Sequence, residues 1–357
     1  MARIASGDPL PATVEAAKTA DAGDCFIGEA STVCCLPGLV NVGVQKAGTG
    51  ELQTWLGVHP AVKVHGGEVH FFDDQERTPS CNAQWRGHLR LRYARFLWKR
   101  QRLREADVRG RLLFEKTPAY FDRAQPRQVA CAIPAARVLI MLREPAARAH
   151  SAYDMCQREQ EGRWCKAPFA QVVERVLVGG GNSSDAAPLH TSRRQMQRSP
   201  HLRRLFLMGH YSTFMRRWLD VFVWPHVGVL WLEQFKADPF ACMHAVERFA
   251  GLAHHPYRTV ATRNEAGLYV VGRSKSDYER KRAPSPRAAG DTRAVVSASP
   301  WAAGDTRAVV SATAALEAAM VRVRAYYAPS QRRLAQLLHK TNTSLLPELP
   351  SPVTGLL

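Results

Sequence analysis

Leu39 to Leu56 reads LVNVGVQKAGTGELQTWL, and the fold turns on how this stretch is divided. Val40, Val42 and Val44 supply the β-branched residues of a buried strand. Ala47 to Gly50 bring the backbone close to a ligand, and Leu52, Trp55 and Leu56 recur at helical spacing. The expected unit is strand, anion-holding loop, helix. A helix starting at such a turn points unpaired N–H groups and the positive end of its dipole outward, and Lys46 adds a full positive charge. The lysine precedes the glycines, so this is not the G-x-x-x-x-G-K-[ST] nucleotide loop, and no G-x-G-x-x-G fingerprint is present.

Around this unit lie 357 residues, 46% of them hydrophobic, enough for a substantial core. The net charge of +18 attracts polyanions: nucleic acid, anionic membrane or acidic polysaccharide. No apolar run reaches the roughly 20 residues of a membrane span, and the first residues lack the apolar core of a signal peptide. The eight cysteines form no C-x-x-C pair, which argues against a structural zinc site. Cys156 and Cys165 flank the polar loop QREQEGRW and read either as a local disulfide or as two thiols.

In order along the chain, 1–35 reads as a mobile leader. After the opening unit, Glu68 to Asp73 (EVHFFD) alternates polar and apolar residues as a strand does, placing Glu68 and His70 on one face. Arg86 to Arg111 reads as an amphipathic helix with a basic outer side. LLFEKTPAYF (Leu112–Phe121) is a strand entering a polar turn that carries Glu115, Lys116 and Thr117. ARVLIMLREPAARAHSAY (Ala136–Tyr153) is a central strand ending at Arg143, then a helix started by Pro145 and carrying Arg148 and Ser151. Further on come a GGGNSS loop, the helix of GHYSTFMRRWL, the strand of VGVLWLEQF, and a helix with Asp238 as N-cap, Pro239 at its first position and Gly251 at its end. AAGDTRAVVSA occurs twice, at Ala288–Ala298 and Ala302–Ala312, and reads as a duplicated surface loop.

Strands alternating with helices predict an α/β doubly wound parallel sheet flanked by helices. Its ligand belongs at the strands' carboxyl ends, where Lys46, Lys116 and Arg143 fall. The expected organisation is the leader over 1–35, one domain over 36–280, a disordered insertion over 281–312, a helix over 313–342 completing the domain, and a tail over 343–357.

Together, GVQKAGTGELQTWLGVHPAV, GGEVHFFDD, FEKTPAYF, VLIMLREPAARAHSAY, GHYSTFMRRWL and DPFACMHAVERFAGL, in this order, resemble the sulfotransferase domain of the Golgi heparan sulfate sulfotransferases. The likeness is nearest to the glucosaminyl 3-O-sulfotransferase and N-deacetylase/N-sulfotransferase branch. It implies a P-loop-kinase-like sulfotransferase fold. The implied reaction moves a sulfuryl group from 3′-phosphoadenosine 5′-phosphosulfate (PAPS) to a hydroxyl or amine of a glycosaminoglycan, without a metal. The resemblance also implies the roles. Lys46, Ala47, Gly48, Thr49 and Gly50 hold the 5′-phosphosulfate, while Arg143 and Ser151, with Arg273, Ser274 and Lys275, hold the 3′-phosphate. Glu68 is the general base, and Lys46, Lys116 and His70 join it in catalysis. Glu68, His70, Asp73, Lys116 and Thr117 contact the acceptor. The implied partner is an anionic polysaccharide and not a nucleic acid, and the implied location is the Golgi lumen, although this chain shows no membrane anchor. Gly50-Glu51 departs from the arginine-alanine usual in the family, removing one positive charge from the loop. A sulfotransferase for another carbohydrate or a small acceptor, and a non-catalytic polyanion-binding protein, are the alternative readings.

Overall fold

The structure is a computed structural model that describes residues 17, 19–27, 33–74, 85–98, 103–159, 163–178, 199–272 and 306–345. In chain order its elements are β1 (Cys25–Ile27), β2 (Val33–Cys35), β3 (Leu39–Gly43), α1 (Thr49–Gly57), β4 (Val62–Val64), α2 (Arg86–Trp98), α3 (Glu105–Val108), β5 (Leu112–Lys116), α4 (Tyr120–Arg123), α5 (Pro126–Ala132), β6 (Arg137–Leu142), α6 (Pro145–Glu159), α7 (Phe169–Val173), α8 (Pro200–Leu207), α9 (Tyr211–Leu219), β7 (Val227–Trp231), α10 (Leu232–Ala237), α11 (Pro239–Ala250), β8 (Ala261–Arg263), β9 (Tyr269–Val271) and α12 (Thr306–Thr341).

The chain divides into two compact units. The first comprises Met1–Glu144, Tyr211–Gly272 and Ser330–Leu357; the second comprises Pro145–His210 and Arg273–Pro329. The boundaries cut through the single domain expected over 36–280.

The first unit is built on a five-stranded sheet in the order β4-β5-β3-β6-β7, parallel throughout. The first strand in sequence thus lies in the middle, with later strands added on either side. β3, β6 and β7 have the near-continuous apolar composition that a parallel sheet covered on both faces requires. The α/β parallel sheet flanked by helices is therefore the observed architecture. β3 shifts register against β6 between Asn41 and Gly43. There the Asn41 side chain turns back to accept from the Gly43 N–H at 3.0 Å. The carboxyl ends of β5, β3 and β6 lie side by side, with Asn41 opposite Lys116 across β3 and β5.

Part of the expected leader is ordered. β1 and β2 pair antiparallel, and a disulfide joins Cys25 to Cys35. Two short strands closed by a covalent bond need little periodicity to hold together, so the sequence pattern did not show them.

The second unit is helical. Tyr153, Phe169, Val173, Phe206, Val323 and Tyr327 are buried in one core formed by α6, α7, α8 and the N-terminal part of α12. Tyr327 donates to the Phe206 carbonyl at 2.7 Å, and a disulfide joins Cys156 to Cys165, the first of the two readings of that pair. α12 begins at Thr306, inside the second repeat copy and ahead of the expected start at 313. The alanine-rich run SATAALEAAM favours helix over an irregular surface loop. The first repeat copy, the GGGNSS loop and the 346–357 part of the tail lie outside the described residues. Among the described residues no helix is long and apolar enough to cross a membrane.

Candidate active site

Between β3 and α1 the chain makes a tight loop. The Val44 N–H donates to the Met141 carbonyl at 2.7 Å, which fixes the loop's start against β6. Lys46 (φ 70°) and Gly48 (φ 81°) both lie in the left-handed region, one residue apart, a conformation that turns backbone N–H groups into a concavity for anions. Gly48 is required on a second ground, because a Cβ there would lie 2.6 Å from Leu232 Cδ1. As the N-cap residue of α1, Gly48 offers no side-chain acceptor, so no side chain caps the first turn. Arg143, just past the end of β6, donates from Nη1 to the Lys46 carbonyl at 3.1 Å. Its own carbonyl accepts from Tyr211 Oη at 2.8 Å. The loop and the strand-end arginine are thus brought together. Glu51, the family departure in the first turn of α1, turns to accept from Trp55 Nε1 at 3.0 Å. Burial raises the pKa of its carboxyl group.

A second cluster stands at the end of β5. Lys116 Nζ donates to Glu68 Oε1 at 2.9 Å, and His70 Nε2 lies 3.2 Å from Glu68 Oε2. The other ring nitrogen of His70 is 2.8 Å from Asp73 Oδ2. Glu68 and His70 keep 39% and 48% of their side-chain surface exposed, against 9% for Lys116 and 5% for Asp73. The face that can meet a second molecule is therefore glutamate and imidazole, braced from behind by lysine and aspartate. Glu68 and His70 meet as expected, but not through strand alternation. Residues 65–74 form no strand, and His70 has a positive φ of 55°.

The loop's shape comes from Thr117. Its hydroxyl accepts from the Val69 N–H at 2.9 Å and the His70 N–H at 3.4 Å. It donates to Glu115 Oε2 at 3.3 Å. Thr117 is fully buried and supports the loop. Asp73 is likewise buried and spends Oδ2 on His70. Glu115 is inside β5 and has no solvent exposure. Tyr93 donates to its Oε1 at 2.6 Å. Burial raises the Glu115 pKa to about 7. The sequence pattern places Glu115 in a polar turn, whereas the structure places it inside β5, and only its position one residue before Lys116 hints at a role.

Ala47 and Thr49 are buried and Gly50 is exposed. Ser151 is placed in the second unit, half-buried on α6. Arg273, Ser274 and Lys275 lie outside the described residues. On α2, Arg86, His88 and Arg92 are exposed, but Arg90 turns inward and donates to the Ala132 carbonyl at 2.8 Å, so the basic face is narrower than the sequence suggested. Elsewhere in this unit His244, Glu247 and His254 come together as possible metal ligands, a cluster the sequence reading did not find. His254 lies beyond the helix that carries the other two.

No family model matches the chain. Among curated proteins, 242 residues align at 26% identity with the bifunctional heparan sulfate N-deacetylase/N-sulfotransferase 2 of Homo sapiens, covering 66% of this chain and 25% of that protein. Heparan sulfate glucosamine 3-O-sulfotransferase 6 of Homo sapiens aligns over 217 residues at 27% identity, covering 60% of this chain and 52% of that protein. The aligned region thus spans about a quarter of the one relative and about half of the other. A solved sulfotransferase from Alicyclobacillus acidocaldarius superposes with a TM-score of 0.45 at 25% identity, covering 61% of this chain and 81% of that one. By sequence, about 60–66% of the chain is similar to the heparan sulfate N-deacetylase/N-sulfotransferases and 3-O-sulfotransferases, at 26–27% identity.

Proposed function

We propose that the chain is a PAPS-dependent sulfotransferase acting on a heparan-sulfate-like glycosaminoglycan, with Glu68 as general base. The observation that carries this reading is the Glu68–Lys116–His70–Asp73 network. It stands where the 65–74 loop meets the end of β5, the strand next to the one that feeds the Lys46 loop.

The loop suits a phosphosulfate. The first turn of α1 is uncapped by any side chain, a Cβ on Gly50 would meet nothing within 4 Å, and Lys46 and Arg143 bring two positive charges. Lys46 to Gly50 would hold the 5′-phosphosulfate, and Arg143 would bind the 3′-phosphate. PAPS, when bound, supplies the transferable sulfuryl group. Lys46, Lys116 and the α1 N-terminus are the groups of this chain that would place positive charge beside a bound sulfuryl donor.

Glu68 takes the acceptor's proton. Among the described residues each of its oxygens has one partner, Lys116 on Oε1 and His70 on Oε2. A carboxylate oxygen has two lone pairs, so each retains one for an incoming hydroxyl or amine. Asp73 and the Thr117 hydroxyl hold the imidazole and the loop backbone, which keeps the base oriented. The exposed Arg86, His88 and Arg92 of α2 offer an anionic polysaccharide a basic face. The disulfides at Cys25–Cys35 and Cys156–Cys165 suit an oxidising compartment such as the Golgi lumen.

Glu68→Gln is the direct test. Turnover is expected to fall by roughly 10²–10⁴-fold, while calorimetry shows near-unchanged affinity for the desulfated cofactor. Unchanged turnover would remove Glu68 as the base. No affinity for the cofactor in the unaltered chain would favour a non-catalytic polyanion-binding protein.

A further inference from the structure

At the end of α1 away from the anion loop, four histidines surround one buried carboxylate. Glu247, on α11, is 1% exposed. A carboxylate so buried is costly unless it is hydrogen-bonded, paired or bound to a metal, and among the described residues no lysine or arginine pairs with it. Its neighbours are imidazoles: His254 Nδ1 at 3.0 Å and His244 Nδ1 at 3.6 Å, both from Oε2, and His59 Nε2 at 3.9 Å from Oε1.

These histidines are not equivalent. His59 Nδ1 accepts from the Ala61 N–H at 3.1 Å, so its Nε2 carries the proton and donates to the Ala253 carbonyl at 3.0 Å. Both nitrogens of this ring are used. His255 contributes its backbone, whose N–H donates to Glu247 Oε1 at 2.8 Å. That bond fixes the carboxylate and leaves Oε2 directed between His244 and His254. His244 and Glu247 are one helical turn apart on α11. Gly251 (φ 69°) then ends the helix, and the chain returns to bring His254 alongside. The two rings lie 5.2 Å apart between centroids.

We propose that His244 Nδ1, His254 Nδ1 and Glu247 Oε2 bind a divalent transition-metal ion of the zinc class, with water completing the coordination. Two imidazoles and one carboxylate are a donor set for zinc and its neighbours, not for calcium or magnesium. Ligand atoms around a tetrahedral zinc with bonds of about 2.0–2.1 Å stand about 3.3 Å from one another. The 3.0 and 3.6 Å separations bracket that value, and all three ligand atoms lie within 4.8 Å of one another. His244 and His254 are 49% and 65% exposed, so an ion reaches the site and the rings have room to close on it. The His255 N–H on Oε1 is the outer contact that keeps a ligating carboxylate aimed. The consequence is structural. The ion ties α11 to the segment carrying Tyr257, whose ring packs 5.6 Å from Trp55 of α1.

The test uses the full, untagged chain after dialysis against a chelator. Zinc titration by calorimetry is expected to show one tight site, to raise the thermal midpoint, and to be reversed by chelator. His244→Ala and His254→Ala, both on exposed side chains, are each expected to abolish that site and the thermal shift. Cobalt(II) in the unaltered chain gives a reading independent of the variants, with strong visible ligand-field bands expected from a four-coordinate site. Absence of zinc binding, zinc binding equally tight in both variants, or a cobalt spectrum no different from the aqueous ion would each overturn the proposal. None of these readouts depends on sulfotransferase activity.

Discussion

Glu115 does not touch solvent, yet it underlies the exposed residues of the site. Its carboxyl group takes the Tyr93 and Thr117 hydroxyls, and Thr117 takes the N–H groups of Val69 and His70. Burial raises its pKa from the ordinary 4.5 to about 7. The folded state thus holds this proton more tightly than the unfolded chain does. The stability this adds is present in full below pH 4.5 and is lost as pH rises to about 7. Urea midpoints measured across that window for the wild-type chain and Glu115→Gln are expected to diverge, the variant losing that downward slope. Parallel curves would show that Glu115 titrates normally. Motif order in the sequence made Glu68, His70, Asp73 and Lys116 legible as a group, and the structure does bring them together. The support beneath them was not legible. A chain of hydroxyls running from Tyr93 through Glu115 and Thr117 to a loop backbone depends on contacts between segments 22 to 48 residues apart.

Among the elements, α11 was the most fully legible. Asp238 accepts from the N–H groups of Phe240 and Ala241 at 3.0 Å each, Pro239 fills the first position, and Gly251 ends the helix in the left-handed region. These are local rules that operate without knowledge of the rest of the chain. Asp238→Ala is expected to lower stability by about 1 kcal/mol in chemical denaturation. A change near zero would mean that the cap is dispensable. The segment 65–74 shows the opposite case. Its alternation matched a strand, but strand pairing needs a neighbour, and this stretch lies past the end of β4 where its backbone bonds instead to the Thr117 and Tyr120 hydroxyls. The disulfide-closed β1–β2 pair was missed because three-residue strands carry almost no period. The early start of α12 is not legible because duplication of a sequence carries no information about its secondary structure.

For the molecule as a whole, the strand–helix alternation predicted the parallel sheet, and the β4-β5-β3-β6-β7 order places β3, with its loop, at the centre. The division into two units was not legible, since no change of composition marks Glu144 or Tyr211. The net charge of +18 implies attraction to polyanions that weakens as salt shortens the screening length from about 10 Å at 0.1 M to about 3 Å at 1 M. Retention on immobilised heparin is expected to be strong at low ionic strength and lost at high salt. Retention indifferent to salt would argue against a charge-driven acceptor surface. We propose that the Lys46 loop and the Glu68 network together transfer sulfuryl groups. This is tested most directly by incubating the chain with sulfur-labelled PAPS and a panel of desulfated heparan and chondroitin polysaccharides. Label is expected on the heparan-type acceptor with the unaltered chain, and almost none with Glu68→Gln. Absence of label on every polysaccharide from a folded, cofactor-binding chain would contradict it.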